Sequence, residues 1–489
     1  MFRKILVWST LVAGFLLTQA NVLAQEFPIA TGKDNTFSGG GDFDGTNFLM
    51  GIQGDSISQN SMTAQLISSG GNLLGSRISL GDTGSGALVV FDGTNYLMVW
   101  SDVFPTFAGG DVNGTGNLYG RFFSTSGTVL GTRFTIETGV NIKQGRRTLI
   151  YKDTTFLLTY EKGVDFHTDY IYGQRISRSG TLVGSPVQIS TAFAREHSIS
   201  FDGTNYLVAW CKVDHPLVDK AIYGQFVSPS GSLVGQNFLI DGSNNASDNP
   251  VNLAFDGSRY LVMFHDQAAD SMRWNLIGRF VSTSGVPAER FMICDSSKNP
   301  TFPVAAFDGT HYLITWLETA GRMSVNGRFY SPTGVPAGNA FVIFDTLGGK
   351  SPIGGVGGFV NGHFFLSATW VDTLFGNGDI YGLLMDPLTT GVKSNETDAT
   401  VRTFSLSQNY PNPFNPSTEI RFSVAATSNT SLTLYNTLGQ RVATLFDGLA
   451  QQGGAYSVHL DASRFATGVY FYRLQSGSLV ATRKLVLLK

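Results

Sequence analysis

Phe201-Asp202-Gly203-Thr204-Asn205-Tyr206-Leu207-Val208-Ala209-Trp210 (FDGTNYLVAW) decides the fold. An aromatic residue leads into Asp-Gly-Thr-Asn, and an almost wholly apolar run follows. Gly203 supplies a positive φ without steric cost, so the segment reads as two strands joined by a tight hairpin turn. The same element starts at Phe43 (FDGTNFL), Phe91 (FDGTNYLMVW), Phe255 (FDGSRYLVMF) and Phe307 (FDGTHYLITW). Weaker copies start at Tyr151 (YKDTTFLLTY) and Phe359 (FVNGHFFLSATW), which makes seven copies at a spacing of about 50 residues.

A second element follows each copy after a gap of variable length. It reads YGRFFSTSG from Tyr119, YGQRISRSG from Tyr172, YGQFVSPSG from Tyr223, IGRFVSTSG from Ile277 and NGRFYSPTG from Asn326. The first copy, from Ala64, and the last, from Tyr381, are degenerate. A short strand comes after the Ser-x-Ser-Gly turn, as in Phe134-Thr135-Ile136 and Phe238-Leu239-Ile240. Each repeat therefore encodes four strands, A to D, with glycine turns between A and B and between C and D. Four short strands per unit in seven units predict an all-β, seven-bladed β-propeller. The last repeat ends at strand C, whereas Phe27-Pro28-Ile29-Ala30 has the pattern of strand D. The N-terminal strand is thus predicted to close the last blade, which limits exposed strand edges.

Composition agrees. Charged residues are 14% of the 489, aromatics are 12%, and there are 58 glycines. Such a chain is no coiled coil and no highly charged disordered segment. Arg3 and Lys4, the apolar run Ile5–Leu17 and the small residues before Gln25 read as a secretory leader cleaved between Ala24 and Gln25. The apolar run is shorter than a membrane span, so no stable span is expected. Two cysteines, Cys211 and Cys294, are no disulfide framework, and buried free thiols are expected. Residues 25–403 carry a net charge of −9, which argues against a nucleic-acid partner.

The pattern changes after a polar stretch at 387–403. The predicted division is a leader at 1–24, the propeller at 25–386, a linker at 387–403 and a small Ig-like β-sandwich at 404–489. Strand-like runs fall at 419–424, 431–435, 454–460, 469–475 and 484–488. The blocks QNYPNPFNPSTEIRFSV from Gln408, LYNTLGQRVATL from Leu434, GVYFYRLQSG from Gly468 and KLVLLK from Lys484 resemble the C-terminal sorting domain of type IX secretion substrates. That resemblance implies the type IX translocon and its sortase as partners, and release or attachment at the outer surface of a Gram-negative bacterium. It places the sorting signal around Gly468, Tyr470, Tyr472, Lys484 and Lys489. The propeller repeats resemble FDGTNYLVVW-type repeats of secreted bacterial proteins.

The A–B and C–D turns share one face and are nearly uniform. The B–C and D–A loops share the other face and differ in every repeat, so ligand-binding residues are expected there. The candidates are Asp165, His167, Asp214, His215, His265, Asp266, Arg273 and Trp274 on B–C loops, and Arg195 and His197 on D–A loops. They suit an extracellular glycan or protein ligand, and the expected role is non-enzymatic binding or adhesion. A polysaccharide hydrolase using loop carboxylates and a structural surface-layer component are the alternatives. No catalytic residue is assigned, because Gly-x-Ser-x-Gly and Ser-x-Asp-x-Gly-x-Thr-Trp are both missing. No cofactor is expected; calcium at Asp111–Asn117 is left open, since the loop lacks a closing Glu. The repeated Asp44, Asp92, Asp202, Asp256 and Asp308 read as turn formers. The aromatics ending strand B (Trp100, Tyr160, Trp210, Phe264, Trp316, Trp370) read as packing between blades.

Overall fold

The structure is a computed structural model. It describes residues 24–30, 37–54, 61–102, 116–140, 147–163, 169–213, 220–242, 251–267, 273–345, 351–371, 378–387, 405–406, 409, 412, 414–424, 426–437, 439–450, 455–477 and 479–488. The chain divides into two compact units between Thr389 and Thr390. No helix among the described residues is long and apolar enough to cross a membrane.

The first unit consists of seven four-stranded antiparallel sheets. Their innermost strands are Phe37–Phe43, Ser85–Phe91, Arg147–Lys152, Ala194–Phe201, Asn252–Phe255, Pro300–Phe307 and Ser351–Val360. Each of these lies beside the next, and the seventh lies beside the first, so the sheets close into a ring. This is a seven-bladed propeller. The outermost strand of blade 7 is Ala24–Ala30, paired antiparallel with Gly378–Met385, in register Phe27↔Gly382. The N-terminal strand closes the ring, as the repeat pattern predicts.

The repeat residues explain the blades. In all five Asp-Gly turns the Asp carboxylate accepts two backbone N–H groups in the turn. Asp202 Oδ1, for example, takes Thr204 N–H at 2.7 Å and Asn205 N–H at 2.7 Å. Asp44, Asp92, Asp256 and Asp308 do the same. These aspartates are occupied by turn geometry. The following Tyr ties blades together: Tyr96 Oη donates to Asn47 O at 2.7 Å in blade 1, and Tyr260 Oη to Asn205 O at 3.2 Å in blade 4. Trp100, Tyr160, Trp210, Phe264 and Trp316, at the ends of the B strands, are fully buried in the packing between blades. Burying an aromatic of this size is worth on the order of 2–3 kcal/mol.

A glycine in strand C makes room for the outer strand. A Cβ on Gly120 would stand 2.4 Å from the Phe134 ring, and one on Gly278 would stand 2.4 Å from the Phe291 ring. Strand D is longer than the sequence suggests. It begins just after the C–D turn, at Val129, Leu182 and Leu233, and bulges before it reaches the aromatic position. Both cysteines are buried, and neither is in a disulfide.

The second unit is a sandwich of a three-stranded and a four-stranded sheet. Ser405–Leu406, Ser417–Ser423 and Ala455–Asp461 form one, and Arg441–Ala450, Ser428–Tyr435, Gly468–Ser476 and Leu479–Leu487 the other. The strand Arg441–Ala450 is absent from the sequence-based expectation. Its apolar residues are interrupted by Thr444, Asp447 and Gly448, so no clean alternation marks it. Leu432, Leu434, Tyr472, Leu474, Leu485 and Leu487 meet Ile420 and Phe422 in the core.

Candidate functional site

The face carrying the D–A and B–C connections is built by a fault in the innermost strands. Pairing of Ala194–Phe201 with its neighbour jumps from Arg195 to Ser198, leaving Glu196 and His197 as a two-residue bulge. The same jump occurs from Ser85 to Leu88 and from Thr301 to Val304. The first bulged residue has a positive φ in each case: 64° at Gly86, 54° at Glu196 and 48° at Phe302. The second residue turns inward, so Ala87, His197 and Pro303 are buried. Gly86 tolerates this geometry; Glu196 and Phe302 do not, and backbone strain of this kind costs of order 1–3 kcal/mol. Phe302 nonetheless stands 44% exposed.

Arg147 begins the innermost strand of blade 3 and reaches back to the blade 2 bulge. Its Nη2 donates to Ser85 O and Gly86 O, each at 3.2 Å. A Cβ on Gly86 would stand 2.1 Å from that nitrogen, so a side chain there would displace the guanidinium as well as meet the positive φ. Burial pushes the Arg147 pKa down to about 10. Nη1 has no hydrogen-bond partner, and no carboxylate among the described residues pairs with this cation.

The candidates fall into local groups. His197 is wholly buried, with Nδ1 3.3 Å from Glu161 Oε1 and Nε2 3.0 Å from Thr159 Oγ1. Thr159 continues the chain to Thr148 at 2.6 Å, and Glu196 N–H donates to Glu161 at 2.6 Å. This is a satisfied interior network. Arg195 lies 3.6 Å from the buried Asp169 carboxylate. His265 is wholly buried, with Nε2 3.1 Å from Pro300 O. Asp266 pairs with Arg290 at 2.9 Å, which together with Arg279 also holds Asp241. Arg273 is exposed, and the half-buried Trp274 opens strand C of blade 5 opposite Gln267. Asp165, His167, Asp214 and His215, the calcium candidate Asp111 and the leader lie outside the described residues. Among the described residues no group of three metal-ligating side chains forms.

Phe302 escaped the sequence reading. Its signal is one extra residue between Thr301 and Val304, where Phe302 and Pro303 face Trp316 alone, and Pro303 disfavours the right-handed helical region for the residue before it. Glu196 and Arg147 are visible as loop charges, but not as members of a bulge or its clamp.

In the sandwich, Tyr472 is buried and its hydroxyl accepts Asn409 N–H at 2.7 Å. The Asn-Pro-Phe segment braces the last strand: Asn412 Oδ1 accepts Val486 N–H at 2.7 Å, and Phe414 exchanges 3.0 Å bonds with Val486 and Leu488. Tyr470 Oη donates to Ala466 O at 2.8 Å, Gly468 opens its strand and Lys484 is exposed; Lys489 lies outside the described residues.

Residues 408–488 match the family of the secretion system C-terminal sorting domain. The chain is a type IX secretion substrate whose larger unit is a seven-bladed β-propeller, and it is destined for the cell surface or the extracellular space. No curated protein matches the chain. Solved structures similar to it include one from a study of two prolyl endopeptidases (13% identity, TM-score 0.43), where the likeness covers 80% of this chain and 54% of that one. They include the polysaccharide lyase Uly1 (12% identity, TM-score 0.44, covering 76% and 94%). A third is the β-propeller domain of the Trilobed protease from Pyrococcus furiosus (10% identity, TM-score 0.43, covering 71% and 95%). The propeller assignment rests on this chain's own strand order and register.

Proposed function

We propose that the propeller is a non-enzymatic binding or adhesion module that takes an extracellular glycan or protein on its B–C/D–A face. One observation carries this reading. The described carboxylates on that face are already engaged, whereas the strained Phe302 is held in the open. Asp102 binds Asn117, Glu137 binds Tyr160 and Lys162, Glu161 binds His197, and Asp241 and Asp266 bind arginines. A hydrolase needs a carboxylate free to move a proton or attack. A binding surface needs exposed aromatic and cationic groups on a rigid frame, which Phe302, the half-buried Trp274 and Arg273 supply.

Delivery follows from the sorting domain. The leader is removed between Ala24 and Gln25, the type IX translocon carries the chain across the outer membrane, and its sortase releases or anchors the propeller. Gln25 then lies at the start of the closing strand.

The test is a glycan and polysaccharide array probed with the purified exported protein, with and without calcium, and with assay of released reducing ends. Binding without cleavage, weakened in Phe302→Ala or Trp274→Ala, supports the reading. Cleavage replaces it with the hydrolase alternative. Silence on every glycan, followed by salt-sensitive capture of a protein, assigns a protein ligand.

A further inference from the structure

Blade 3 departs from a packing rule kept by its neighbours. In blades 2, 4, 5 and 6 the second residue after the strand-C glycine is Phe, and so is the strand-D residue opposite that glycine. The two rings pack at centroid distances of 5.9 Å (Phe122 and Phe134), 5.3 Å (Phe226 and Phe238), 5.6 Å (Phe280 and Phe291) and 5.8 Å (Phe329 and Phe341). In three of these blades the outer ring also lies under the C–D glycine of the next blade, at Gly180, Gly285 and Gly334. In blade 3 the inner Phe is replaced by Arg175. The residue opposite Gly173 is Val187. Arg175 is the one charged residue at its position in the seven repeats.

The missing rings leave a cavity of about 270 Å³ between blades 3 and 4. Leu157, Val187, Ile189 and Val227 give it apolar walls, and Arg175 stands in its lining. The stem of Arg175 occupies the contact at Gly231 that a Phe ring makes elsewhere, with Cδ 2.7 Å from where a Cβ would be. Its guanidinium donates once, from Nη1 to Ser230 O at 2.8 Å. Nε is buried with no acceptor, and no carboxylate among the described residues pairs with the charge. Arg175 is half-buried, so its guanidinium keeps donors open at the edge of the apolar hole, where an anion could take them.

We propose that this gap binds a small carboxylate bearing one ring or one branched apolar group. The body fills the space of the absent phenyl rings, and the carboxylate takes the free edge of Arg175, the planar donor suited to it. The volume lies below the usual ~300–1,000 Å³ of ligand sites, which limits the ligand to about one ring. This site lies at the outer rim of the blades and is independent of the B–C/D–A face.

The experiment titrates the purified exported protein with phenylacetate, and with phenylacetamide as the neutral control, by calorimetry and ligand-observed NMR. Saturable phenylacetate binding is expected, roughly tenfold or more tighter than the amide. Val187→Phe should abolish it while the melting temperature holds or rises, because the substitution restores the side chain of blades 2, 4, 5 and 6. Arg175→Gln should remove the preference for acid over amide, which decides the matter even if Val187→Phe fails to fold. Phe302→Ala should change nothing. Absence of saturable phenylacetate binding, equal binding of the amide, or binding unchanged in both Val187→Phe and Arg175→Gln overturns the proposal.

Discussion

The ring of Phe27 lies against Gly382 so closely that a Cβ on that glycine would stand 2.4 Å from it. Phe134 does the same over Gly120 and Phe291 over Gly278. Phe27 also meets the place of a Cβ on Gly71, in the C–D turn of blade 1, at 2.5 Å. A residue near the N-terminus thus joins blade 7 to blade 1 by the contacts that join blade 2 to blade 3.

Phe27→Ala should therefore act as a core truncation and cost about 3–5 kcal/mol. Gly71→Ala should be severe too, because φ is +80° and the ring blocks the methyl group. Urea unfolding measures both. A cost within ~0.5 kcal/mol for Phe27→Ala, the range of surface changes, would mean that the strand does not clasp the ring.

Asp42 gives a pH dependence. Its carboxylate accepts Phe43 N–H and, across the blade boundary, Phe91 N–H, each at 2.8 Å. Burial is the dominant influence and raises its pKa, with the two N–H groups opposing. The folded protein therefore keeps this proton to higher pH than the unfolded chain does. The residue's contribution to stability is greatest below the ordinary value of about 3.9, falls as pH rises through the folded value, and is flat above it. Stability relative to Asp42→Asn, read by urea unfolding from acid to neutral pH, should fall along that course. A difference that rises with pH would contradict the assignment.

Phe302 at φ 48° predicts an uncommon result, a stabilising glycine. Phe302→Gly should gain on the order of 1 kcal/mol, since relief of strain outweighs the extra chain entropy, whereas Phe302→Ala keeps the strain and should gain nothing. Equal unfolding free energies for the two variants would show that the backbone at 302 carries no strain.

Cys294 is buried, and burial, with Glu318 and Asp295 nearby, pushes its thiol pKa up to about 12. Cys211 is buried as well and is in no disulfide. A thiol reagent should label neither in the native protein and both after denaturation. Rapid labelling of either without unfolding would place that thiol at the surface.

The candidate site was only partly legible. Arg195, Asp266 and Trp274 stand on the face where loop variability puts them, but His197 and His265 are interior. The bulge explains His197. It sets two residues, Glu196 and His197, against Trp210 alone, turning Glu196 away from the core and His197 into it, and no local composition distinguishes the two. Arg175 and Val187 are plain in the sequence as departures from the repeat. Their meaning depends on the Phe pairs that meet across strands elsewhere.

The sequence by itself determined the number of blades, their strand order, the closing N-terminal strand and the identity of the sorting domain. These are carried by turns and alternation within a few residues, where Asp-Gly and Ser-x-Ser-Gly leave the backbone little choice. Only the tertiary structure decided which polar side chains are open and where a cavity lies. Those outcomes depend on side chains from different strands and blades sharing one volume. The pairs Phe27 with Gly71 and Arg175 with Gly231 meet in space because the ring closes and the blades stack, and no spacing along the chain encodes the fit.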